Sequence, residues 1–282
     1  MTPSLAIAEA DLLDRFPHEP FVARHPLVGH PAFTLERLVA LAATLPADSV
    51  EYNAGDVDVD VFGAQTPRNG LSPTETIRRI ETCRSWLVLK NVEQDPEFAA
   101  ILDALLDDLE RRARLKLHGF GRREGFVFIS SPGSVTPYHL DPEHNFLLQL
   151  RGTKTIHLFD VADRFVMSEA ALDASHVGGG RNLPYAPTYE AHARCFTLTP
   201  GDALHFPVNA PHWVQNGDAV SISFSVTFRS AQSERNSQLR IVNHHLRQLG
   251  LAPAPVGRRP LVDDLKYVGF HTLRRAKHLV RG

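Results

Sequence analysis

The chain has 282 residues, 43% hydrophobic and 22% charged, an ordinary globular composition that excludes a disordered polymer. Thirty Lys and Arg against 32 Asp and Glu give a net charge of −2, which removes any global electrostatic case for wrapping nucleic acid. Two cysteines, Cys83 and Cys195, without a CxxC or Cys/His cluster around either, argue against a disulfide framework and against a structural zinc site, and 15 histidines stand out as the residue type to explain.

The first fifteen residues have neither the basic start nor the apolar run of a secretory signal, and no stretch approaches the ~20 apolar residues of a membrane span. A soluble, cytoplasmic protein without membrane contact is the expectation. Phe33 to Leu45 spaces its apolar residues as an amphipathic helix that Pro46 ends. Ser72-Pro73-Thr74-Glu75 has the form of a capping box with proline at the first helical position, predicting a helix to about Cys83. Trp86 to Val92 reads as a buried strand. Asp95-Pro96-Glu97 opens a longer helix whose Phe98, Ile101, Leu105 and Leu109 make one apolar face.

From about Gly125 to Phe228 short strands alternate with turn residues, the pattern of an antiparallel sandwich or barrel. The strands predicted are Phe126 to Ser130, Thr136 to Asp141, Asn145 to Leu150, Thr153 to Phe159, Arg194 to Thr197, Ala203 to Phe206, Trp213 to Asn216 and Val220 to Phe228. Eight strands is the count of a jelly roll. Arg151-Gly152 predicts a tight hairpin, and Gly178-Gly179-Gly180 reads as a surface loop inside a long insertion from Asp160 to His192.

Beyond Phe228 the chain turns helical, with Leu239, Val242, Leu246 and Leu249 on one stripe and Leu265, Val268, Thr272, Ala276 and Leu279 on another. Residues 230–282 hold ten basic and three acidic residues, against twenty and twenty-nine in residues 1–229. A solvated basic face accounts for that polarity, and so does an acidic partner or a second subunit; the helices suit a homodimer interface. The expected organisation is an α+β protein: residues 1–124 as helices and strands packing on a barrel, 125–229 as the barrel, and 230–282 as basic helices.

Thr136-Pro137-Tyr138-His139-Leu140-Asp141 sets a histidine and a carboxylate two residues apart, which strand alternation turns to one face. Pro207-Val208-Asn209-Ala210-Pro211-His212 offers a third donor at the opening of a late strand. His139, Asp141 and His212 would form the two-histidine, one-carboxylate set that holds non-haem Fe(II) with positions left open. His205 is the rival third ligand. His144 breaks the alternation and reads as a supporting or surface residue; His157 reads as packed or exposed, and His244, His245, His271 and His278 as solvent-facing. Tyr138 and Trp213, beside ligands, would wall a substrate site or pack the core.

HLDPEHNFLLQLRGTKTIHLFD, then GDALHFPVNAPHWVQN and the strand SISFSVTF, resemble the JmjC or cupin-like group of 2-oxoglutarate-dependent oxygenases over residues 125–229. They are particularly similar to the asparaginyl hydroxylase that acts on the hypoxia-inducible factor. The resemblance implies a double-stranded β-helix, Fe(II) on His139, Asp141 and His212, O₂, and 2-oxoglutarate as cosubstrate. It implies further that Lys154 binds the distal carboxylate of 2-oxoglutarate and that Asn145 and Thr136 contact it. Ser225 stands where that hydroxylase has an asparagine. A buried dicarboxylate needs a cation at its far end, which Lys154 would supply.

The expected activity is hydroxylation, or N-demethylation, of a protein, peptide or small molecule. The alternatives are a non-catalytic cupin-like sensor or scaffold and a cupin metalloenzyme without cosubstrate. No zinc finger or helix-turn-helix supports a nucleic-acid partner.

Overall fold

The computed structural model describes residues 2–60, 69–178 and 182–281. Three N-terminal strands come first: β1 Phe21–Arg24, β2 Val50–Ala54 and β3 Ser85–Lys90. The eight strands expected after them are all present: β4 Gly121–Ser130, β5 Val135–His139, β6 His144–Arg151, β7 Lys154–Leu158, β8 Arg194–Leu198, β9 Asp202–Phe206, β10 His212–Asn216 and β11 Ser221–Arg229. They divide into two antiparallel sheets, β1-β9-β6-β11-β4-β3-β2 and β5-β10-β7-β8. This is the jelly-roll, double-stranded β-helix core of an α+β protein. The N-terminal strands extend its larger sheet at both edges, and β4 itself crosses the boundary expected at residue 124.

Strand β11 explains how the sheet faces are sorted. Its sequence SISFSVTF turns Ile222, Phe224, Val226 and Phe228 outward into the largest apolar core, where they meet Leu38, Leu41, Phe98 and Leu105. These last four come from helices α1 Leu35–Thr44 and α3 Pro96–Ala113. Alternation turns Ser221, Ser223, Ser225 and Thr227 the other way, into the space between the sheets. There a smaller cluster of Leu147, Ile156, Leu158, Leu198, Phe206 and Val214 closes the barrel from both layers. Core and polar interior are written in one strand.

Local signals account for the helix boundaries. The Thr34 hydroxyl caps α1 by accepting from the Arg37 amide, and the Asp95 carboxylate caps α3 by accepting from Glu97. The Ser72 hydroxyl does the same for α2 Pro73–Arg78, which ends five residues before the predicted Cys83. At the β6–β7 hairpin Gly152 has φ +68°, and a Cβ there would stand 2.5 Å from the Val220 carbonyl oxygen. Only glycine fits that turn.

The insertion is folded rather than loose. It carries helix α4 Glu169–Ala174 and a 3-10 turn over Pro187–His192. Val166, Met167, Leu172 and Leu183 pack with Tyr138 and Phe159 in a separate cluster. Gly179 and Gly180 of the predicted loop lie outside the described residues.

Asp173 on α4 is fully buried and receives Arg240 Nη1 at 3.1 Å and Arg247 Nε at 3.0 Å. Both arginines belong to α5 Ala231–Gln248, so the basic tail meets the acidic body within one chain. Burial pushes the Asp173 carboxyl above its ordinary range even with both guanidinium groups in place. Removing one partner of a buried ion pair strands the other, at a cost of about 3–5 kcal/mol. Asp173→Ala is accordingly expected to lose that much stability in denaturant unfolding and to open the insertion to protease. A loss below about 1 kcal/mol would mean that packing alone holds it.

In the last helix, α6 Pro260–Arg281, Leu265 and Val268 are 74% and 62% exposed. The stripe read as a dimer face is therefore uncovered in the single chain. His271 Nε2 donates to Gln238 Oε1 of α5 at 2.9 Å, and the ring is half-buried, not solvent-facing. The side chains of Ala276, His278 and Leu279 lie outside the described residues.

Candidate metal centre

His139, Asp141 and His212 converge. One donor atom from each lies within 4.8 Å of the others, and both imidazole Nε2 atoms stand 3.9 Å from Asp141 Oδ2. His139 ends β5 and His212 opens β10, directly opposite each other in the ladder, so their rings meet with centroids 4.1 Å apart. Asp141 differs from expectation. Strand β5 stops at His139, and Asp141 lies in the loop beyond it, held where its carbonyl oxygen accepts the Asn209 amide at 2.9 Å. Loop closure, not alternation, brings the carboxylate in.

The tautomers follow from the backbone. His139 Nδ1 lies 2.7 Å from the Pro137 carbonyl oxygen and His212 Nδ1 lies 3.0 Å from that of Ala210. A carbonyl only accepts, so each Nδ1 carries the hydrogen and each Nε2 presents a lone pair toward Asp141. This is how histidines are oriented for a metal, by an outer hydrogen bond that fixes ring and tautomer. Two imidazoles and one carboxylate, with the rest of the sphere open, fit a divalent transition metal such as iron.

The remaining predicted positions also turn inward. Between Val214 and His212 of β10, two residues apart, β5 spends three, Thr136 to His139. This bulge returns Thr136 to the inner face beside His139. Asn145 on β6 and Ser225 on β11 are buried on the inner faces of their strands, and Asn145 Oδ1 has no hydrogen-bond partner among the described residues. Lys154 opens β7 and is 5% exposed, facing Asn216 of β10, whose Oδ1 is likewise unsatisfied. Among the described residues no carboxylate pairs with Lys154, and burial pushes its ammonium down to about 7. A barrel interior holding an uncompensated lysine and two orphaned amide oxygens is built for a polar guest.

Four residues separate the rung His212–Leu158 from the rung Asn216–Lys154. That is about 13 Å of strand rise, which an extended lysine side chain shortens to the span of a small dicarboxylate. Phe206 packs on His212 at 4.8 Å between centroids and shields one side of the centre. Beside the Asp141 loop a cleft of about 460 Å³ opens between Pro142, Glu143, His176, Arg229 and Arg274.

The rival histidines point away. His205 is fully buried on the outer face of β9, among Phe16, Phe21 and Phe146, with Nδ1 3.0 Å from the Glu19 carbonyl oxygen. Burial holds it down at about 3. His144 stacks on Phe228 and is buried rather than at the surface; burial holds it at about 4. Tyr138 and Trp213 flank ligands but project to the opposite face, into the insertion's cluster, so core packing is their role.

A family model described as a cupin-like domain matches residues 47–234. Curated relatives include Jumonji C domain-containing protein 5 of Drosophila melanogaster, 32% identical over 115 residues, 36% of this chain and 26% of that protein. Another is lysine-specific demethylase 8 of Xenopus tropicalis, 32% identical over 109 residues, 36% of this chain and 24% of that protein. The match thus spans about a quarter of these relatives' length. Among solved structures, Escherichia coli YcfD superposes with a TM-score of 0.51 at 18% identity, over 96% of this chain and 68% of that one. A structure of YcfD, titled a ribosomal oxygenase in complex with cobalt and 2-oxoglutarate, gives 0.50 at 17% identity over 98% and 70%. At such identity the likeness is one of fold. With two thirds of its length matched by the cupin-like model and its jelly roll complete, the chain belongs to the cupin-like domain family.

Proposed function

We propose that the chain is an Fe(II)- and 2-oxoglutarate-dependent oxygenase that hydroxylates a protein or peptide substrate, with demethylation as the outcome on an N-methyl carbon. The observation that carries this reading is the pairing, inside one barrel, of the His139–Asp141–His212 donors with the unpaired, buried Lys154. When bound, the iron with 2-oxoglutarate and O₂ supplies oxidative decarboxylation to succinate and CO₂ and delivers one oxygen atom to a C–H bond.

The chain's own residues do the rest. His139 and His212 hold the metal through Nε2, and Asp141 offsets one of its charges. Lys154 takes the distal carboxylate of 2-oxoglutarate, with Asn145, Thr136 and Ser225 along its length. Ser225 is shorter than an asparagine there. Phe206, Leu158 and Val214 keep bulk water from the centre, which protects a reactive oxidant. A protein substrate is supported by the relatives named a lysine-specific demethylase and a ribosomal oxygenase. The rim cleft beside Pro142 and Glu143 suits an extended chain.

Purified protein supplied with Fe(II), ascorbate, O₂ and 2-oxoglutarate is expected to release succinate slowly even without substrate. Binding of 2-oxoglutarate with no succinate would move the reading to a sensor; absence of binding ends it.

A further inference from the structure

A second group of donors lies on the outer face of the smaller sheet, away from the barrel interior. Strand β7 sends Ile156 and Leu158 inward, so His157 stands outside; β8 sends Phe196 and Leu198 inward, so Cys195 does too. The ladder places His157 directly opposite Cys195 and, on its other side, opposite Trp213 of β10. The 3-10 turn Pro187–His192 lays Glu190 over this row. His157 Nδ1 lies 3.5 Å from Cys195 Sγ and in contact with Glu190 Oε1, and one donor atom from each residue falls within 4.8 Å of the others.

Two of the three donors are already oriented by neighbours outside the trio. The His157 ring stacks on Trp213 at 3.8 Å between centroids and 15° between planes. Glu190 Oε2 accepts from the Tyr185 hydroxyl at 2.8 Å and from Trp213 Nε1 at 3.2 Å, leaving Oε1 turned to His157 and Cys195. Outer contacts of this kind aim the coordinating side chains in metal sites. The other chemistries available to such a trio do not fit. A nucleophilic cysteine needs the imidazole between thiol and carboxylate, one on each ring nitrogen, whereas both here address Nδ1. A disulfide is excluded because Cys83, the other cysteine, contacts Thr76 and Ser131 beside the larger sheet.

We propose that His157, Glu190 and Cys195 form a second metal site for a thiophilic divalent cation of the zinc class, with water as the fourth ligand. On binding, the Cys195 thiol releases its proton to solvent, and His157 coordinates as the neutral imidazole through Nδ1, its one hydrogen on Nε2. Thiolate and carboxylate then balance the two positive charges, so the site is neutral. The donor sets separate the two centres by softness: N, O and S outside, N and O inside. Desolvation and the nearby Glu190 carboxylate hold the free thiol up, a repulsion that a cation removes. Occupied, the site would clamp β7 and β8 to the turn that closes the rim insertion.

Cobalt(II) titration of the metal-free full-length chain tests this, because a thiolate ligand adds a near-ultraviolet charge-transfer band that the inner centre, lacking sulfur, cannot produce. In Asp141→Ala, where the inner centre no longer competes for cobalt, the band is expected to saturate at one cobalt per chain. It should persist in Asp141→Ala and Cys83→Ser, and vanish in Cys195→Ser, an exposed position where folding is not at risk. His157→Asn should weaken cobalt affinity at that band at least tenfold. No band in the wild-type chain, or a band that survives Cys195→Ser, overturns the site, and neither result bears on the oxygenase reading.

Discussion

Asp141→Ala is expected to abolish iron retention at the inner centre and 2-oxoglutarate turnover while leaving the fold in place. The loop around Asp141 is fixed by its main chain, through the Asn209 amide on its carbonyl oxygen, so removing the carboxylate leaves that tie intact. What disappears is the only anionic donor of the set. Two neutral imidazoles remain, at 3.9 Å from the vacated position, and a divalent cation loses both a ligand and its charge offset. Loss of outer contacts alone costs metal sites about 10–100-fold, so loss of a direct ligand should exceed about 100-fold in succinate release. His205→Phe is the matched control. It alters the rival histidine, which faces Phe16, Phe21 and Phe146 on the far side of β9, and it should retain iron and turnover. Metal analysis with the succinate assay checks both, and an Asp141→Ala protein that keeps its iron would remove this residue from the centre.

The same positions show how far the sequence could be read. All eight barrel strands were legible because each is bounded by turn residues, and β11 states both its faces in SISFSVTF. Strands β1 and β2 were not, since four or five residues such as FVAR and VEYNA at the edges of a sheet carry no periodic pattern of their own. The H-x-D spacing found two of the converging donors for a reason that the structure corrects: Asp141 converges through a loop, and the β5 bulge, invisible in sequence, is what sets Thr136 beside His139. The outer cluster was missed. His157, Glu190 and Cys195 come from three elements whose adjacency depends on strand register, and register is a property of the paired sheet. A histidine and a cysteine at outward positions of neighbouring strands were the only hint.

Lys154→Met is expected to weaken 2-oxoglutarate and strengthen the free protein, two effects of opposite sign from one side chain. Burial without a carboxylate partner among the described residues brings the folded lysine to about 7, against an ordinary value of 10.5 in the unfolded chain. Between those values the unfolded state binds the extra proton, so the lysine's destabilising effect is full below about pH 7 and fades to nothing near 10.5. At pH 7 the difference corresponds to about 4 kcal/mol, an order-of-magnitude figure. Methionine, of similar length and apolar, should recover much of it, raising the unfolding midpoint at pH 7 and converging with wild type as the pH rises. The dicarboxylate reverses the balance. Its distal carboxylate restores the charge on Lys154, so binding above about pH 7 takes up a proton and affinity should fall about tenfold per pH unit there. Truncating one member of a buried charge pair costs about 2–5 kcal/mol, which predicts a rise in KM for 2-oxoglutarate of at least about 30-fold in the variant. Unfolding curves and calorimetry across pH 6–10 separate the alternatives. A structural lysine would lose stability on replacement and leave 2-oxoglutarate affinity alone; a lysine kept for its cosubstrate does the reverse, because its compensating charge arrives with the ligand.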